Sequence, residues 1–243
     1  MNSTDTQTRL ETLEREVESH RPRPRARVGW LAAAAAAAAV IAGLVVVDVS
    51  RDDGSDKPAG PVDTGAATEL ASDFMDAVAA YDVDRARSFL ADDARVALWP
   101  AGQDDDLGAE LRWTRAVGAQ LFPGPCEHEG VVGRAATVVC TFDFHALGSK
   151  RLGRGPFTDN EFRLVVVDDE ISEVGADSDA AEFEATMWEP FTAWLLSHHA
   201  DQAAFMYDDW PNVMRPALTD RSAGLWAKHV EGYVRAVERG NAF

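Results

Sequence analysis

Positive charge is scarce in this chain. Its 243 residues hold 23 Lys and Arg against 41 Asp and Glu, a net charge of −18. A surface this acidic repels phosphate backbones and anionic headgroups, which argues against a nucleic-acid partner. Its plain meaning is solubility, and its sharper one is a cationic ligand or partner. Cysteine is scarcer still, with Cys126 and Cys140 alone. Two thiols and the neighbouring His128 fall short of the four ligands of a structural zinc site, so no metal and no cofactor are expected. There is no internal repeat, which sets solenoid architectures aside. The stretch 148–156 (GSKRLGRGP) contains Gly-x-Gly, yet it joins two predicted strands. A dinucleotide phosphate loop needs a strand before it and a helix after it. The stretch therefore reads as a long hairpin loop whose Lys150, Arg151 and Arg154 are the one local basic patch on an acidic domain.

What the chain does have is one long apolar run. Residues 28–47 (VGWLAAAAAAAAVIAGLVVV) carry no charge. That is the length of a helix crossing a bilayer core of about 30 Å. Arg21, Arg23, Arg25 and Arg27 precede the run, and Asp48, Asp52, Asp53 and Asp56 follow it. Basic residues beside a span stay in the cytoplasm. The expected arrangement is a single-pass anchor in the lipid bilayer of the cell membrane. Residues 1–27 would form a short cytoplasmic tail, and everything after Ser50 would be extracytoplasmic. A cleaved secretory signal is the competing reading, but its apolar core is shorter, about 7–15 residues, and ends in a cleavage site that the segment after Val47 does not offer. A buried alanine-rich helix of a soluble core fits poorly with four arginines on one flank.

In the tail, Leu10, Leu13 and Val17 have helical spacing until Pro22 and Pro24 intervene. Residues 48–66 are polar and rich in Gly and Pro, a flexible linker. The domain expected over 67–176 opens with Leu70, Phe74 and Val78 on one helical face, with Thr64 or Thr68 as N-cap. A second short helix capped by Asp82 carries Ala86, Phe89 and Leu90. A strand over 95–99 stops at Pro100. A third helix follows Asp104–Asp106, with Leu107, Leu111, Thr114, Gly118 and Leu121 on one face. Strands follow over 126–132, 135–145, 158–168 and 171–175, joined by short turns at Gly133 and Asp169, as antiparallel hairpins require. The extension over 177–243 is helical. Phe183, Met187, Phe191, Trp194 and Leu195 keep one spacing, and Trp226, His229, Val230, Tyr233 and Val237 mark a last helix begun near Thr219.

The order helix, helix, strand, helix, antiparallel strands resembles the nuclear transport factor 2-like cone, the superfamily of SnoaL-like polyketide cyclases and ketosteroid isomerases. ELASDFMDAVAAYDVDRARSFLADDARV looks like the entry of that fold, and CTFDFHALGSKRLGRGPFTDNEFRLVVVDDEISEV like its long hairpin. The helical tail looks like an extension found in membrane-anchored bacterial members of unassigned activity. The resemblance implies an α+β fold in which helices pack on a curved antiparallel sheet, with the extension added. It also implies that a catalytic member would turn an acid or base into the cone.

If the hairpin turns at Gly133, Cys126 and Cys140 lie equally far from it on facing strands, and outside the cytoplasm such a pair forms a disulfide. On the strand face taken as inward stand Val138, Cys140, Phe142, Phe144, Phe162, Leu164 and Val166, all apolar. Thr141, Asp143, His145, Glu161 and Arg163 have the opposite parity. General acid–base chemistry needs a titratable group near the moving proton, so a non-catalytic binding or interaction module is expected. Its ligand would be a small apolar molecule held by Trp99, Trp113, Phe142, Phe144 and Phe162, or its partner would be a protein, or a second copy of the chain. With the sheet inside out, the alternative is an isomerase or cyclase using Asp143 and His145, with Tyr81 as a donor. Core packing is the default reading of the tryptophans, and the basis for His198-His199 at a helix end is the helix dipole.

Overall fold

The computed structural model describes residues 62–98, 106–178, 180–208 and 215–242. The tail, the span expected over 28–47, most of the linker, and Trp99 lie outside the described residues. Among the described residues no helix is long and apolar enough to cross a membrane.

Helix α1 (Thr64–Ala79) begins within the stretch expected to be linker. Its N-cap is Asp63, not Thr64 or Thr68. The Asp63 carboxylate accepts the amides of Gly65 and Ala66 at 3.0 and 3.1 Å, and its charge suits the positive end of the helix. Thr68 lies inside the helix and donates its hydroxyl to the Thr64 carbonyl. Ala71, Phe74, Met75 and Val78 form the buried face. Asp82 caps α2 (Val83–Arg87) as expected, accepting from the Arg85 amide at 3.1 Å. Helix α3 (Leu107–Ala116) is capped by Asp106. It stops before Gly118, whose φ of 67° lies in the left-handed region, so Leu121 belongs to the next strand and not to this helix.

Five strands form one sheet: β1 (Leu90–Ala97), β2 (Gln120–Val132), β3 (Ala135–His145), β4 (Phe157–Val167) and β5 (Glu170–Ser178), in the order β1-β5-β4-β3-β2. Neighbours run antiparallel except β1 and β5, which are parallel. Strand β1 takes in Leu90, which the sequence placed on the second helix, and β2 starts well before Cys126. This element order and topology are what the resemblance to the cone implies. Register slips on β2 between Pro123 and Cys126 and between His128 and Gly130, and bulges of this kind bend and twist a strand. Helix α1 packs against β2 and β3.

Cys126 and Cys140 are bonded and lie opposite each other in the β2–β3 ladder. The route to that pairing differs from the expected one. The turn has two residues, Gly133 and Arg134, because Val132 pairs with Ala135. Counted from that turn alone, the cysteines would miss by one position. The bulge between His128 and Gly130 restores the match.

The extension comprises α4 (Ala181–Phe183), a π-helical turn (Glu184–Trp188), α5 (Glu189–Ala203), the short pair β6 (Tyr207–Asp208) and β7 (Arg215–Pro216), and α6 (Asp220–Glu238). Pro190 sits in the first turn of α5, where its missing N–H is harmless. Thr219 caps α6, its hydroxyl accepting the Ser222 amide at 3.1 Å. One hydrophobic core runs through the cone and the extension alike.

Candidate functional site

Alternation along β3 and β4 sets the concave face. Ala136, Val138, Cys140, Phe142 and Phe144 on one strand, with Phe162, Leu164 and Val166 on the other, are buried. Phe142 stacks on Phe162 with ring centroids 4.5 Å apart, and Phe144 lies 5.4 Å from Phe157.

This face is not wholly apolar, contrary to the reading of the strands. Asn160 continues the inward parity of β4 and is buried. Its side-chain amide donates to the carbonyls of Phe142, Phe157 and Thr158 at 3.3, 3.1 and 3.1 Å. Those carbonyls are left over where β3 and β4 slip register between Phe142 and Phe144, next to Asp159 at φ 62°. Three acceptors around one nitrogen fix which way the amide points. The second polar group is Glu110 of α3, the one buried carboxylate among the described residues. It accepts the Leu98 amide at 2.8 Å, just past the end of β1. Glu110 stands three positions after Leu107 and one before Leu111, on the helix face that read as core.

Asp143 and His145 have the outward parity and are half-buried. His145 Nδ1 lies 2.9 Å from the Ser149 hydroxyl, which also accepts the Ala146 amide at 3.3 Å. The contact is a hydrogen bond whichever His145 tautomer is present. Its ring meets Phe122 edge-on. Tyr81 occupies the turn after α1 at φ 57° and donates its hydroxyl to the Ala119 carbonyl. Burial raises the Tyr81 pKa above the ordinary phenol value, partly opposed by Arg115. His145 and Tyr81 are thus engaged separately.

Of the residues expected to line a ligand site, Phe142, Phe144 and Phe162 are core, and Trp113 is buried against Trp226 with centroids 5.8 Å apart. What covers this end of the concave face is the chain's own extension. The Phe183 ring stands edge-on to both Phe144 and Phe157, with centroids 5.2 and 5.1 Å away. Met187, Phe191 and Trp226 are completely buried behind it. Trp188 stacks on Trp226 at 5.6 Å.

The loop between β3 and β4, read as a free basic patch, is committed to holding this cover. Arg154 donates to the Thr186 carbonyl. Arg151 pairs with Glu231 and Glu238 of α6 at 2.9 and 2.8 Å. Gly148 permits the approach: at φ 77°, its missing Cβ would fall 2.1 Å from Val234 Cγ2.

This α+β architecture, helices packed on a curved five-stranded sheet, matches the cone that the resemblance implies. No protein-family model matches the chain, and no curated protein matches it. The chain is similar to a candidate polyketide cyclase from Pseudomonas putida KT2440, at 14% identity over 50% of this chain and 97% of that one, with a TM-score of 0.40. It is also similar to a nuclear transport factor 2-like protein of unknown function from Cytophaga hutchinsonii ATCC 33406, at 13% identity over 47% and 91%, TM-score 0.36. A third similar structure is a candidate ketosteroid isomerase from Kribbella flavida DSM 17836, at 20% identity over 48% and 80%, TM-score 0.32.

Proposed function

We propose that the chain is a single-pass membrane protein whose nuclear transport factor 2-like domain serves, outside the cytoplasm, as a binding module and not as an acid–base enzyme. The observation that carries this reading is Phe183. Seated against Phe144 and Phe157, it covers that end of the aromatic face of the sheet. Recognition then falls to the outside, where β2 is a free edge of the sheet and Phe122, Val131 and Val132 are exposed. A partner protein, cationic where it meets the acidic surface, would dock there, or a second copy of the chain would. A small apolar ligand would enter by displacing the extension. The arginine-flanked apolar run over 28–47 supports the anchor, and the Cys126–Cys140 bond supports an oxidising compartment.

A second reading, an isomerase or cyclase of the SnoaL-like kind, is favoured by Glu110, a carboxylate inside the core. Asp143 and His145 serve it less well, since they face away from the aromatic lining.

The two readings part on the full chain in its membrane. Protease added to intact spheroplasts should digest the chain beyond Ser50 and spare the tail. Native mass spectrometry of the extracted protein should find no small molecule in stoichiometric amount. Protection of the C-terminal domain would overturn the topology. Turnover of an enone or polyketide substrate that is lost in Glu110→Gln would establish the enzyme instead.

A further inference from the structure

The extension holds a group of histidines that the cover over the cone does not use. His198 and His199 belong to α5 and His229 to α6. The rings of His199 and His229 lie 4.4 Å apart between centroids. His198 stacks on Trp194 at 5.5 Å, and the same indole meets His199 at 5.2 Å and His229 at 6.3 Å. His229 is buried, and its Nε2 lies 2.9 Å from Gln202 Oε1. That oxygen also receives the Lys228 ammonium at 3.2 Å. An ammonium only donates, so the Gln202 atom is an acceptor and His229 Nε2 carries the proton. A neutral ring is thus sufficient for every contact His229 makes here.

The backbone departs from helical geometry at the same place. His199 has φ −145° and ψ 36° within α5, which separates the last turn from the rest of the helix. The charged groups acting on His229 are His199 and Asp201 from α5 and Lys228 from its own helix. Burial first, then the two cationic neighbours, hold its pKa down to about 4, with Asp201 opposing. The remaining elements packed on α6 direct their charges elsewhere: Arg112 of α3 to Asp220, and Arg151 to Glu231 and Glu238.

We propose that the His199–His229 contact is an acid-operated latch, which releases the last turn of α5 from α6 when His229 is protonated while the cone stays folded. A charge on His229 is disfavoured in its buried seat beside the His199 ring and the Lys228 ammonium, so the opened form takes up a proton that the closed form excludes. Acid therefore favours opening. The kink lowers the cost, because helical backbone geometry is already broken at His199.

Hydrogen exchange of the full chain, followed by mass spectrometry and normalised to intrinsic rates, tests the latch. Between about pH 7 and about pH 5, where imidazoles titrate, protection over 197–204 should fall by about tenfold or more while peptides from β3 keep theirs. The acid step should vanish in His229→Gln, shrink in His199→Gln, a second variant in case the first does not fold, and persist in His198→Gln. An unchanged wild type, a step of equal size in both variants, or a parallel loss in β3 would each overturn the proposal.

Discussion

Arg151 donates through one guanidinium nitrogen, Nη2, to both carboxylate oxygens of Glu238, at 3.0 and 2.8 Å, across 87 positions of sequence. The same guanidinium reaches Glu231 at 2.9 Å, and Glu231 also holds Arg235 at 2.9 Å. The hairpin loop of the cone is thereby joined to the last helix of the extension by a surface network. Both partners raise the pKa of Arg151, and Arg151 in turn lowers that of Glu231. All of these groups are exposed, so the network is sensitive to screening. Arg151→Ala should lower the melting temperature at low ionic strength, and the difference from wild type should shrink as salt is added. A difference that ignores salt would assign the effect to packing of the side-chain stem.

Gly148 should tolerate no side chain. Gly148→Ala adds a methyl group 2.1 Å from Val234 Cγ2 on a backbone with φ of 77°. Urea unfolding should show a loss of about 2–3 kcal/mol from strain and overpacking together. Adding Val234→Ala should relieve the clash and leave the backbone part.

Truncating Phe183 should be costly. Phe183→Ala empties a site between Phe144, Phe157 and Trp188, and truncation of a buried Phe costs about 3–5 kcal/mol. Binding of a hydrophobic dye to the variant and not to wild type would show that the concave face has opened.

The Cys126–Cys140 bond closes a loop with a sequence separation of 14. Loop-closure entropy assigns it about 3 kcal/mol. The double serine variant should unfold at correspondingly lower urea, and the unreduced, denatured protein should take up no thiol reagent. Two labelled cysteines would refute the bond.

Alkali should weaken the extension through Tyr207. Burial pushes its hydroxyl up to about 12, partly countered by a hydrogen bond with Thr192. The unfolded phenol ionises near its ordinary value of about 10. The contribution of Tyr207 is therefore complete below about pH 10 and is lost as pH rises toward about 12, by up to about 3 kcal/mol. Tyr207→Phe should flatten that part of the stability profile.

Much of the cone was legible because strand parity and helix capping are local. Val138, Cys140, Phe142 and Phe144 alternate without a break, and β3 runs over the residues the alternation marks. Asp82 and Thr219 cap their helices as their positions suggest. Strand β2 was harder, because Pro123, Gly124, Pro125 and its charged residues leave no alternation from which its start or its bulges could be read. Glu110 was missed although its spacing from Leu107 places it on the buried face; a single acidic residue in an apolar stripe is the available signal. Asp63 was passed over as a cap because the first apolar residue of the periodic pattern lies several positions later. The covering of the cone by Phe183, and the commitment of Arg151 and Arg154 to holding it, join residues far apart in sequence, which no periodicity records.

The cover also changes how affinity for the cone should be understood. Because Phe183 and Met187 belong to the same polypeptide, they act as a tethered competitor that dilution does not remove. A visitor to the concave face must meet an open form, and its apparent affinity falls by the fraction of molecules that are open. If opening costs about 3 kcal/mol, that handicap is about 150-fold. Any mutation or partner that loosens the extension would recover it without touching the visitor at all.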